Sequence, residues 1–100
     1  MTNIMLFCAA GMSTSLLVQK MQKAAADEGY EVTISAHSVS EVEKCGQDAD
    51  IILLGPQVRF EVERIQKLFP DKHVQAIDMM DYGMMNGKHV IDNVRQALGN

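Results

Sequence analysis

The residues best suited to chemistry stand together near the start of the chain, in the run Cys8-Ala9-Ala10-Gly11-Met12-Ser13-Thr14-Ser15. A cysteine is a nucleophile as its thiolate. Ala9, Ala10 and Gly11 are small enough for the backbone to wrap closely, and Ser13, Thr14 and Ser15 bring hydroxyls that cap a helix or donate to an anion. An apolar run precedes this segment and a helical pattern follows it. The order reads as a strand, a tight loop with the thiol at its first position, and a helix N-terminus. The first N–H groups of a helix lack intrahelical partners and carry partial positive charge, so the loop is a cradle for a phosphate-sized anion. The same dipoles favour the thiolate of Cys8 and would hold a phosphoryl group placed on its sulfur. The chemistry indicated is that of a phosphate-handling nucleophilic cysteine. The plainer role for Cys8 is that of a core residue ending a strand; its small neighbours and the hydroxyls beyond them favour the nucleophile.

The remaining reactive types are less suggestive. His37, His73 and His89 have no mutual spacing suited to a metal, and each is expected to be solvated or structural. Cys45 lacks a loop or basic neighbours and is expected to pack as a small apolar residue. Asp48 and Asp50 look like turn residues ahead of a strand. No acid to protonate a leaving group is identifiable from the sequence, which leaves open whether Asp78 or Asp81 stands near the cysteine. No metal and no cofactor are implied.

These groups need elements to hold them. Ile4-Met5-Leu6-Phe7 and Ile51-Ile52-Leu53-Leu54 are unbroken apolar runs, the pattern of strands covered on both faces of a parallel sheet. Val32, Ile34 and Ala36 alternate with polar residues, and Val74-Gln75-Ala76-Ile77 is short, so both belong at sheet edges. Leu17, Val18, Met21, Ala24 and Ala25 give a helix that Gly29 stops. A short helix is expected after Ser38 or Ser40 up to Gly46. A longer one is expected from about residue 57 to 68, with Val58, Val62, Ile65 and Phe69 inward and Pro70 ending it. Residues 78–87 read as a connection rich in methionine, and Val90, Ile91, Val94, Ala97 and Leu98 form a terminal helix.

Strands alternating with helices specify an open four-stranded parallel α/β sheet of order 2-1-3-4 with helices on both faces. The winding reverses between strands one and three, and the loops at Cys8 and at Gly55-Pro56-Gln57 both end in that crevice. Leu16 and Phe60 fall off the apolar faces of their helices close to the loop ends. Each is either a covered surface residue or, with Gln57 and the loop around Tyr82, a candidate partner contact. Met79, Met80, Met84 and Met85 suit either an adaptable contact surface or gap filling under a loop.

One hundred residues make one domain, 1–100. Thirteen acidic side chains against nine basic ones give a net charge of −4, and Lys and Arg are not clustered, which argues against nucleic acid as a partner. The apolar runs are too short to span a bilayer, so no membrane insertion is expected and the chain is read as cytoplasmic.

The combination of Cys8-x-x-Gly11-Met12-Ser13-Thr14-Ser15, Leu53-Leu54-Gly55-Pro56-Gln57, Ile77-Asp78 and Tyr82-Gly83 resembles the IIB component of the bacterial phosphoenolpyruvate-dependent sugar phosphotransferase system, lactose/cellobiose (chitobiose) family. The resemblance spans nearly the whole chain. It implies that Cys8 takes a phosphoryl group from a phosphohistidine of the IIA protein and passes it to a sugar held by the membrane component IIC. The chain would then meet the inner face of the membrane only transiently. A carrier that visits two partners has reason to be a monomer. The loop also resembles that of low-molecular-weight tyrosine phosphatases, but Thr14 stands where their arginine is, and without a guanidinium clamp the loop is expected to store a phosphoryl group and hydrolyse it poorly. The alternatives are a cysteine-dependent phosphatase or arsenate reductase of the same loop type, and a non-catalytic regulatory module binding through Leu16 and Phe60.

Overall fold

The computed structural model describes residues 2–9 and 14–99. Four parallel strands, β1 (Thr2–Cys8), β2 (Val32–Ser38), β3 (Ile51–Leu54) and β4 (His73–Ala76), form one sheet in the order β2-β1-β3-β4. The order is the one expected from burial, because β1 and β3 are apolar at successive positions and lie in the middle. Side chains alternate across the sheet. Ile4, Leu6, Ile34, Ile51 and Leu53 face one layer, and Met5, Phe7, Ile52, Leu54 and Val74 face the other.

The first layer consists of helices α1 (Thr14–Asp27) and α5 (Gly87–Leu98). Leu17, Met21 and Ala25 meet Val90, Ile91 and Val94 there, the stripes their spacing predicts. α1 ends just before Gly29, whose backbone is left-handed at φ 69°. The second layer holds α2 (Val42–Cys45) and α3 (Val62–Leu68), with Val42, Val58 and Ile65 buried on the sheet. Both expected helices of this layer are broken up. α2 is flanked by 3₁₀ turns at Val39–Glu41 and Gly46–Asp48. Residues 56–61 wind as 3₁₀, with Val58 non-helical at φ −120° and ψ 22°. Val58 leaves helical geometry and is buried in the core, and regular α geometry starts only at Val62.

The expected connection at 78–87 contains a further helix, α4 (Met79–Gly83), capped by the Asp78 carboxylate, which accepts from the Met80 N–H at 2.9 Å. At five residues it is too short to show helical period. α4 is tied to α5 through Asp81 and His89. The Asp81 carboxylate is buried and lies 2.6 Å from His89 Nδ1, while the Asp81 carbonyl accepts from the Asn86 N–H and the Asn86 side chain caps α5 at the His89 N–H. His89 is therefore structural, as expected, but paired. Its hydrogen bond to Asp81, and then the charges of Asp81, Asp92 and Asp78, hold its pKa above 6.5 against the opposing effect of desolvation.

α5 reaches α1 at closest approach through Gly87, where a Cβ would overlap the backbone of Lys20 and Met21. Backbone cannot yield as a side chain can. Gly87→Ala is expected to destabilise the fold by about 2 kcal/mol or more, read as a lowered midpoint in urea with an unchanged slope. His89 supplies a pH-dependent increment: with its pKa raised by folding, its contribution is complete below about 6.5 and disappears as pH rises through the raised value. The stability difference between the wild type and His89→Gln should accordingly be present at acidic pH and shrink in alkaline buffer. A difference independent of pH would remove the ion pair from this role.

Candidate functional site

β1 continues through Cys8, which pairs in register with Ser38, so the thiol ends the strand and does not open the loop as expected from sequence. The strand runs on because the parallel ladder to β2 persists to its last residue. Cys8 is buried, at 2% exposure, and Ala9 after it is exposed. The loop residues Ala10, Gly11, Met12 and Ser13 lie outside the described residues. Thr14 and Ser15 open α1, with Ser15 exposed. The main chain thus leaves β1 beside the thiol and re-enters as a helix six residues later.

The second wall of the site follows β3. The Gly55 N–H donates to the Phe7 carbonyl at 2.9 Å, extending the β1–β3 ladder one step past Leu54, and the Ile77 N–H donates to the Leu54 carbonyl at 2.8 Å. The C-terminal ends of β1, β3 and β4 are thereby held level where the strand order reverses. Gly55 is the contact point. A Cβ there would stand 3.2 Å from the Cys8 Cβ and 2.9 Å from Gln57 Oε1. The bare backbone at Gly55 lets the thiol-bearing strand and the folded-back Gln57 side chain approach the same point.

Around this crevice several apolar side chains are exposed. Leu16 is 49% exposed in the first turn of α1 and Phe60 is 75% exposed after β3. Met79 and Met80 on α4 and Met84 just after it are exposed as well, whereas Met85, in a left-handed conformation at φ 54°, packs against the core. The methionine cluster therefore divides between surface and core. Tyr82 requires a correction. It is buried with the α1–α5 core, because the helical turn of α4 carries it inward, and it lends only an edge to an open groove of about 250 Å³ shared with Pro56, Gln57, Met79 and Gly83. Met79, Met80 and Met84, weighed from sequence as either an adaptable surface or gap filling, are the exposed apolar side chains of this segment. The helix that carries the first two has fewer than two turns, and the Asp78 cap was its available signal.

The other candidates each have surroundings of their own. His37 Nε2 is 3.0 Å from Ser35 Oγ and its ring packs on Phe7 with centroids 5.6 Å apart. His73 is exposed at the start of β4. Cys45 is half-buried against the Met5 and Phe7 cluster. Asp50 accepts from the Asn3 N–H, and the Asp48 carbonyl accepts from the Asn3 side chain, both ahead of β3. Asp78 is engaged as a cap and Asp81 with His89. Among the described residues, no three His, Cys, Asp or Glu side chains gather as a metal site, and no helix is long and apolar enough to cross a membrane.

Comparison with known proteins agrees with this architecture. A family model for the lactose/cellobiose-specific IIB subunit of the PTS system matches residues 3–93. The chain is 46% identical over 95 residues to the cellobiose-specific EIIB component of Lactococcus lactis subsp. lactis (strain IL1403), covering 88% of each chain. It is 38% identical over 102 residues to the oligo-beta-mannoside-specific EIIB component of Bacillus subtilis (strain 168), covering 100% of this chain and 99% of the other. Among solved structures, the cellobiose-specific IIB component of Borrelia burgdorferi superposes with a TM-score of 0.73 at 38% identity, covering 91% of this chain and 85% of that one. The lactose-specific IIB domain of Streptococcus pneumoniae superposes with a TM-score of 0.83 over 95% of each chain at 16% identity, a likeness of fold. This sheet of order 2-1-3-4, the fold shared with low-molecular-weight tyrosine phosphatases, and the near-complete family match lead to one conclusion: the chain belongs to the lactose/cellobiose-specific IIB subunits, the sugar-phosphotransfer components of the PTS.

Proposed function

We propose that the 100 residues act as one cytoplasmic phosphocarrier domain in which the sulfur of Cys8 receives a phosphoryl group from a phosphohistidine of a IIA protein and delivers it to a sugar hydroxyl held by a membrane-bound IIC protein. The observation that carries this reading is the placement of Cys8 at the C-terminal end of β1, at the reversal of strand order, with Gly55 bonded to Phe7 beside it. In the first transfer the Cys8 thiolate forms the S–P bond as the N–P bond of the phosphohistidine breaks and the imidazole keeps the electron pair. In the second, the sugar oxygen forms an O–P bond, the S–P bond breaks, the sulfur leaves as thiolate and the hydroxyl proton passes to base. Each transfer is in line, so the catalytic work is positioning and charge stabilisation. The backbone N–H groups from Gly11 to Ser15 at the head of α1 are proposed to hold the peripheral oxygens in both states.

One sulfur has to meet two proteins in turn, so both are expected to use the same face. Leu16 and Phe60, joined by Met79, Met80 and Met84, supply exposed apolar surface near the ends of the strands that carry the site. Methionine is unbranched and polarizable, which suits repacking against successive partners. The carrier is proposed to be a monomer, leaving that face open, and to touch the membrane only through IIC.

Intact mass after incubation with phosphoenolpyruvate and the upstream phosphocarrier proteins tests the relay. The wild type should gain one phosphoryl group and Cys8→Ser none. If neither gains mass while the donor chain phosphorylates a control acceptor, the relay is excluded; turnover of an aryl phosphate would then favour the phosphatase. Phe60→Asp should slow transfer from IIA about tenfold or more without altering the fold, as expected for an exposed apolar contact at an interface. An unchanged rate would remove Phe60 from the docking face.

A further inference from the structure

We infer that the carboxamide of Gln57 holds the phosphoryl group on Cys8 from the β3 side of the crevice. This rests on the proposed relay and adds a second source of hydrogen bonds to it. The point that a Gly55 Cβ would occupy is 3.2 Å from the Cys8 Cβ and 2.9 Å from Gln57 Oε1. Taken together, those distances place the carboxamide oxygen at most about 6 Å from the Cys8 Cβ. A phosphoryl oxygen lies two bonds beyond the sulfur, and at that separation it can come within a hydrogen-bond length of about 3 Å of the carboxamide. Rotation of the terminal amide exchanges its oxygen and nitrogen, so the same side-chain path presents an N–H₂ donor to the phosphoryl oxygens.

The backbone fixes the origin of that side chain. The Val58 N–H donates to the Gly55 carbonyl at 3.0 Å, and Val58 is buried, so the turn carrying Gln57 is pinned at the residue that follows it. Pro56, the residue before Gln57, has its own φ fixed by its ring. Gln57 itself is exposed, and its amide can swing without disturbing the core.

The chemistry also calls for a neutral donor here. Thr14 stands where the related phosphatases place arginine, so no guanidinium from that position reaches the phosphoryl group. An amide donates a hydrogen bond without adding charge. It orients the oxygens for in-line transfer and holds them less tightly than a bidentate cation would, which leaves the group transferable. Gln57 keeps its protons throughout; it touches the reacting group and neither gives nor takes a proton.

The test uses the intact, ¹⁵N-labelled protein phosphorylated by phosphoenolpyruvate and the upstream donors. The side-chain Nε2–H₂ signal of Gln57, assigned by its loss in Gln57→Met, should shift when Cys8 is phosphorylated. Gln57→Met has similar length and no donor. It should form phosphocysteine about tenfold more slowly and show a displaced ³¹P resonance. Gln57→Glu should be slowest at pH 8 and recover as pH falls toward the carboxyl range, a profile that a purely structural role would not produce. Gly55→Ala should move the same ³¹P signal by pushing the amide aside. If the wild type is phosphorylated but Gln57→Met matches it in rate and ³¹P shift, the assignment to Gln57 is overturned and the relay stands. A raised KM for the donor with an unmoved ³¹P signal also overturns it, making Gln57 a docking residue. If the wild type takes no phosphoryl group from an active donor chain, the relay and this assignment fall together.

Discussion

The hydrogen bond from the Gly55 N–H to the Phe7 carbonyl is the contact on which the site depends. It prolongs the central β1–β3 pairing beyond the last strand residue of β3 and so brings the chain after β3 against the residue after Phe7, which is Cys8. In a parallel sheet the central pair is buried on both faces, and an unpaired N–H or carbonyl there would be costly. The requirement to pair the backbone thus sets the geometry of the crevice. A side chain at position 55 would crowd both walls, and glycine removes that conflict.

The two layers of helices serve this junction differently. On the α1–α5 side, Gly87 allows the two helix backbones to touch, which fixes α5 against α1 well behind the head of α1. α4 is then joined to α5 by the buried Asp81 carboxylate and His89. A five-residue helix has little stability of its own, and it persists because its cap, its ion pair and the inward Tyr82 each attach it to a larger element. Holding α4 in this way leaves Met79, Met80 and Met84 facing outward. On the α2–α3 side, Val58 leaves helical geometry to fill the core beneath the turn that bears Gln57.

Much of the fold was legible in the sequence because β1 and β3 are continuous apolar runs and α1 and α5 carry clean apolar stripes. Those patterns determine which strands are central and hence the order of the sheet. Leu16 and Phe60 were legible by the same periodicity, since each stands off its apolar face and each is exposed. Two of the failures arise in elements too short to display a helical stripe. α4 has too few residues for a stripe, and Tyr82, assigned to the surface, turns inward on it. Residues 56–61 fit a helical pattern by side-chain spacing, yet they wind as 3₁₀ with Val58 out of helical geometry and buried in the core. The pairing of His89 with Asp81 crosses from one helix to another, and a separation of eight residues in sequence does not announce it.

The phosphatase fold and the carrier fold share a sheet, so the difference between them has to lie in what surrounds the sulfur. A hydrolase needs water aligned behind phosphorus, a strong clamp on the equatorial oxygens and an acid for the leaving group. In this chain Thr14 replaces the arginine position, Asp78 is occupied as a helix cap, and Asp81 is buried against His89. The two acids weighed for that last role are thereby committed to structure. Both are committed to the same short helix, α4, whose outer face carries the exposed methionines. The carboxylates that a hydrolase would direct at its leaving group are here used to position an apolar surface. Under the proposed relay, a surface of that kind would bring the next acceptor to the sulfur and exclude water as it does so, and a carrier gains more from that exclusion than from any group that would activate water.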